Sequence, residues 1–188
     1  LFASSIGRTI KALEQQQLAQ KKLESAIKST GNATGITAKT MMNYASSLQA
    51  VTKFGDEQII SAQALLLTFT KIGRDVFPDA IEASLNLSEA MGQDLQQTVI
   101  QVGKALNDPI QGLTALRRVG IQFNSDQQAL IKNFVATNKV ASAQKIILQE
   151  LDRQFGGMAV TATNTIGGAL TQLSNSYGDL LERIGAKV

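Results

Sequence analysis

A chain of 188 residues is long enough to bury one substantial core, or to stack several smaller ones. It contains no cysteine and no histidine, which excludes thiol nucleophiles, disulfides, the usual zinc sites and every triad that needs an imidazole base. The formal net charge of +3 is too mild to signal nucleic acid. Its distribution is less even: residues 1–54 hold seven basic and two acidic residues, whereas residues 55–94 hold two basic and seven acidic ones. Solvated helix faces account for this pattern, and complementary pairing between segments or subunits is the alternative. The chain opens without methionine and reads as an excerpt from a longer protein.

Nearly every segment has helical periodicity, and strand-like alternation is absent. The first helix, about Ser4 to Ser29, sets Ile6, Ile10 and Leu13 on one stripe, with Leu23 and Ile27 further on. Residues 1–30 thus form an amphipathic, coiled-coil-like helix, and residues 31–36, within "STGNATG", form a linker. A compact helical domain is expected over 37–157. Thr37 caps its first helix, which runs to about Lys53 and is closed by Gly55. A second helix opens at Asp56 and stops at Gly73, a third starts at Pro78-Asp79 and stops at Gly92, and a fourth starts at Asp94.

The stretch "GKALNDPIQGLTALRRVGIQF", Gly103 to Phe123, reads as a helix hairpin. Asn107 ends one helix, Asp108 caps the next, and Pro109 takes the first helical position, where its missing N–H costs nothing. Arg117 and Arg118 fall in the last turn, where cations favour the carbonyl end of the dipole, and Gly120 terminates it. Their second reading is contact with an acidic partner surface. Ser125 and Gln128 have the spacing of a capping box, and a further helix spans about Val140 to Phe155.

The last segment, 158–188, carries a helix from about Thr163. On it Ile166, Leu170, Leu173, Tyr177, Leu180 and Ile184 are spaced 4, 3, 4, 3 and 4, a heptad seam. Fewer than three heptads are present, so a core-facing helix and a coiled coil both fit the pattern. The fold expected is all-α: about eight or nine short helices, flanked by longer N- and C-terminal helices with coiled-coil character. Its core draws on Leu65, Leu66, Phe69, Ile72, Phe77, Ile81, Val99, Val102, Leu106, Leu113, Leu116, Phe134, Ile146, Ile147 and Leu151.

Chemistry is sparse. A phosphate-binding loop fails around Gly103-Lys104, because Thr98 and Ala105 stand where glycine and Ser/Thr are needed. Glu24-Ser25 is faintly similar to the start of a lytic transglycosylase site, but the Gly-Leu-Met-Gln stretch of that family is missing. Asp75, Asp79 and Glu82 are spaced to face a cation, yet match no calcium-loop pattern. The glycosylation-like triplets at Asn32 and Asn86 are chance matches. Gln154 to Gly178 has no charge over 25 residues, long enough to cross a bilayer but rich in Thr, Asn, Gln and Ser. No catalytic, cofactor-binding or metal-binding residue is assigned.

"ALLLTFTKIGRDVFPDA" (Ala64–Ala80), the hairpin stretch above and "AQKIILQELDRQFGG" (Ala143–Gly157) resemble, in order and spacing, successive blocks of tail-length tape measure proteins of tailed bacteriophages and prophages. The resemblance covers Phe54 to Gly157 most strongly. It implies a structural protein of the virion tail, assembled in the bacterial host cytoplasm, that sets tail length, templates the tail tube and leaves it ahead of the DNA. The implied partners are other copies of itself, the tail tube protein, tail assembly chaperones and tail tip proteins, with no sequence-specific nucleic acid. Membrane contact is implied only during infection. Two roles stand for this region: an assembly module using the Ile166–Ile184 seam, or a membrane-active helical segment that helps DNA pass the host envelope.

Overall fold

The computed structural model describes the backbone of residues 2–186 and the side chains of residues 10–184 and 186. Among these the fold is all-α. Helix α1 (Phe2–Ser29) is followed by α2 (Ala38–Gln49), α3 (Asp56–Leu66), α4 (Phe77–Met91), α5 (Leu95–Asn107), α6 (Pro109–Arg118), α7 (Ser125–Ala136), α8 (Val140–Phe155) and a single turn, α9 (Met158–Thr161). A 3₁₀ turn, Ala162–Asn164, then leads into α10 (Ile166–Gly185). Eight helices, α2 to α9, therefore lie between two longer ones.

Local chemistry explains most boundaries. The Thr37 hydroxyl accepts from the Thr40 N–H at 3.2 Å, the Asp94 carboxylate from the Gln96 N–H at 2.8 Å, and the Asp108 carboxylate from the Gln111 N–H at 3.2 Å. Gly92 closes α4 in the left-handed conformation, at φ 61°.

Four boundaries depart from the sequence reading. Helix α2 ends at Gln49 rather than about Lys53, because the Val51 and Thr52 N–H groups both turn back onto the Leu48 carbonyl. The capping box at α7 uses Asn124 and Gln127, one residue earlier than Ser125 and Gln128, with reciprocal bonds of 2.8 and 2.9 Å. Helix α3 ends at Leu66 rather than Gly73, because the chain tightens into i→i+3 turns through Thr68, Phe69 and Ile72. Buried Gln144 fixes that turn, donating to the carbonyls of Lys71 and Leu106 at 2.9 Å each. Lastly, α10 starts at Ile166, since Thr165 serves as its cap.

One hydrophobic cluster runs through the molecule, from Ala19 and Leu23 of α1 to Ala159 of α9. Helix α3 packs on α1, α2 and α5, while α4 packs on α5, α8 and α9. The expected core residues are in place: Leu65, Phe69, Phe134 and Ile146 are partly buried against the cluster, and the other eleven are within it. Ile36, in the turn after α1, also belongs to it. Helix α10 contributes no side chain.

The α5–α6 hairpin closes unusually tightly. A methyl group on buried Gly112 would fall on the backbone of Ala105, and one on Gly103 would fall on the Phe69 ring. The first obstacle is backbone and has no rotamer to change. Gly112→Ala is therefore expected to lower unfolding stability by about 1–3 kcal/mol, as overpacking does elsewhere. Urea denaturation of this variant against Thr114→Ala, an exposed change on the same helix, checks it.

Candidate assembly surface

Helix α10 is laid on the body with its apolar face outward. Ile166, Leu170, Leu173, Tyr177, Leu180 and Ile184 are all exposed, from 84% at Ile166 to 49% at Ile184. The heptad seam is thus neither a core stripe nor, within one copy of the chain, half of a coiled coil. Such a row of large apolar side chains is what a partner covers.

The face that meets the body is polar. Gln172, Asn175, Asp179 and Glu182 are spaced 3, 4 and 3 along α10, so they form one stripe on the helix. The end of α2 and the loop after it leave carbonyls without helical partners, and α10 supplies donors. The Gln172 side-chain amide donates to the carbonyls of Ala50 and Thr52 at 3.4 and 3.3 Å, and that of Asn175 to Lys53 at 3.1 Å. Gln49 joins three elements: its Oε1 accepts from the Asp56 N–H at 2.6 Å, and its Nε2 donates to Asp179 at 2.7 Å. Helix α1 packs against α10. There Ile10 and Leu18 are exposed as well.

The other candidate residues are dispersed. Arg117 and Arg118 are exposed in the last turn of α6 and, with Thr114 and Gln122, line a shallow depression of about 430 Å³. Neither takes part in an ion pair among the described residues. Asp75, Asp79 and Glu82 border a cleft of about 450 Å³ between α4 and α8, together with Asp152 and Lys145. Among the described residues no three Asp or Glu side chains are grouped closely enough to hold a metal ion. Glu82 accepts a hydrogen bond from the Tyr44 hydroxyl, whose pKa is pushed up by burial first and then by that bond. Glu24 and Lys104 are exposed on their helices. Asn86 accepts from the Ala159 N–H at 3.0 Å, a structural role that pins α9 to α4. Among the described residues no helix is long and apolar enough to cross a membrane.

The polar stripe of α10 is the element that sequence reasoning missed. Its signal is the near-heptad spacing of Gln172, Asn175, Asp179 and Glu182, legible only when a polar stripe is weighed as a docking face.

Among the described residues the molecule is an all-helical body that displays an apolar helix seam. The chain belongs to the family of prophage tail length tape measure proteins, whose family model matches residues 1–132. That span reaches further towards the N-terminus than the motif resemblance and stops before the block in α8. Membership places the protein in the phage tail, with tail components as partners. No curated protein and no solved structure matches the chain.

If polar contacts hold α10, removing them should free the helix without melting the core. The double change Gln172→Ala, Asn175→Ala is expected to weaken docking by about 1 kcal/mol per site. Amide exchange should then accelerate in residues 166–185 and stay unchanged in α4 and α5.

Proposed function

We propose that this chain is a folded helical module of a tape measure protein and that it works by self-association through the α10 seam. The carrying observation is the orientation of α10, whose six large apolar side chains are exposed on the described body. Burying a large aliphatic or aromatic side chain contributes about 1.5–3 kcal/mol when it starts fully exposed. These six start about half exposed or more, so a second copy of the seam offers a substantial driving force against the entropy of association. Residues 37–157 supply most of the body, with the 1–30 helix and the 158–188 segment packed against it.

Around this core event stand the finer roles. Copies gathered side by side template the tail tube, assembly occurs in the host cytoplasm with tail assembly chaperones and tip proteins, and the protein leaves the tube ahead of the DNA. Arg117 and Arg118, exposed and without ionic partners among the described residues, are the proposed contact for an acidic tail protein. A second reading draws on the uncharged stretch Gln154–Gly178, where Met158, Val160, Ile166, Leu170, Leu173 and Tyr177 are all exposed: the segment enters the host envelope during infection.

Light scattering over a concentration series tests the first reading. The wild-type chain should form a helical oligomer, and Leu173→Asp with Tyr177→Asp should leave a folded monomer, because both positions are exposed within one chain. A wild-type monomer at every concentration sinks the self-association reading. Leakage from anionic vesicles by such a monomer would transfer support to the envelope reading. Arg117→Glu with Arg118→Glu should leave the oligomer intact and weaken capture of the tail tube protein.

A further inference from the structure

Asp56 and Asp179 line one depression where α10 crosses the junction of α2 and α3, and Glu57 and Glu182 flank them on the same two helices. Asp56 and Glu57 lie in the first turn of α3, where the helix dipole favours negative charge. Asp179 and Glu182 descend from α10, one turn apart. Asp56 is only 8% exposed, and its Oδ1 is buried without a hydrogen-bond partner. Its Oδ2 accepts only long bonds, from Gln16 of α1 at 3.3 Å and from Ser46 of α2 at 3.5 Å. A depression of about 340 Å³ opens beside it, walled by Ser46, Gln49, Ala50, Gln172, Ser176 and Asp179.

Among the described side chains no ion pair neutralises this group, although Lys22 of α1 lines a cavity together with Glu57. Lys53, in the adjoining loop, is engaged by Glu89 at 2.7 Å. Lys11 and Glu14 of α1, Lys39 of α2 and Arg183 of α10 are exposed and form no ion pair with it. Arg8 of α1 lies outside the described side chains. Burial, followed by the charges of Asp56, Asp179 and Glu57, raises the Glu182 carboxyl to about 7. Asp179 is raised by burial and by Asp56, partly offset by the bond from Gln49. Glu57 is raised by burial, partly offset by its own backbone N–H, and then by Asp56 and Asp179.

We infer that this cluster is a proton-operated latch: it holds α10 on the α2–α3 junction while it carries a proton, and loosens the helix when all four carboxylates are ionised. Like charges held under one helix repel, and the buried oxygen of Asp56 has no solvent to relieve it. Released, α10 exposes its polar stripe as well as its seam and can swing about the 3₁₀ turn Ala162–Asn164, which joins it to the α9 turn that Asn86 pins to α4. The functional purpose of that swing rests on the self-association proposed above, but the latch itself does not.

The sign follows from linkage. Glu182 titrates near 4.5 when α10 is free and at about 7 when it is docked. The docked state therefore binds the proton more tightly. Docking is strongest below about 4.5, weakens as the pH rises towards about 7, and is level above that.

The chain has no cysteine of its own, so Ser47→Cys and Ser174→Cys, both at exposed positions, accept a pair of dyes cleanly. Single-molecule energy transfer would be measured in the Leu173→Asp, Tyr177→Asp background, where loss of self-association cannot mimic or mask the latch. The expected result is one compact population at pH 5 and, at pH 8, a roughly tenfold larger separated fraction; Glu182 is only partly buried, so the effect falls short of the full linkage. Glu182→Gln should stay compact at both pH values. Asp179→Asn should reduce the response, and it serves as the second variant if circular dichroism shows that Glu182→Gln does not fold. A distance that ignores pH in the parent, or a folded variant that responds as the parent does, overturns the latch.

Discussion

Everything distinctive about this surface follows from unpaired carbonyls at the end of one short helix. Helix α2 stops at Gln49, and the loop that carries the chain into α3 leaves the oxygens of Ala50, Thr52 and Lys53 without helical donors. A carbonyl left unsatisfied where another helix shuts out water costs on the order of 1–3 kcal/mol, and those of Thr52 and Lys53 are part-buried here. Side-chain amides on α10 meet that need, and a helix recruited for its amides must turn them inward. Its apolar stripe, on the opposite face, has nowhere to go but out. The seam is exposed because the polar stripe is used.

The same logic of close approach shapes the body. The α5–α6 hairpin brings two backbones together at Gly112 and Ala105, and a phenyl ring from the α3–α4 connection rests on Gly103. Buried Gln144 then ties that connection to the end of α5. At the other end, Glu150 of α8 accepts from Gln127 of α7 at 2.7 Å and from Arg153, which holds its carboxyl down at about 2. The body is thus closed by specific polar contacts as well as by its hydrophobic cluster, to which no described side chain of α10 belongs.

Much of this was legible in the sequence, and the part that was not has a physical reason. Caps at Thr37, Asp94 and Asp108 are local chemistry, decided within four residues, so they could be read directly. The core residues were legible because 3.6-residue periodicity reports burial. The early end of α3 was not, since it depends on Gln144, distant in sequence. The capping box slipped by one because Asn124 and Ser125 are both good caps, and only the path of Phe123 into the core decides between them. The seam was read correctly as a pattern, but periodicity gives a stripe and not the direction it faces. For α10 that direction was set by carbonyls more than a hundred residues upstream.

A folded module also changes what a molecular ruler measures. A continuous helix adds about 1.5 Å per residue, so a chain of this length drawn out as one helix would span about 280 Å. Folded back on itself, the same chain is divided among helices of which the longest, α1, reaches about 42 Å over its 28 residues. On the proposed reading, residues in this module contribute far less to tail length than residues in a straight bundle, and an insertion here would lengthen a tail less than the same insertion in a rod. What the module offers instead is a surface. Rods held side by side by an apolar seam need a defined register, and a seam mounted on a rigid body through α10 supplies one that a uniform helix lacks. The latch under α10 then bears on assembly through geometry, by deciding whether that register is set by the body or by the neighbouring copy.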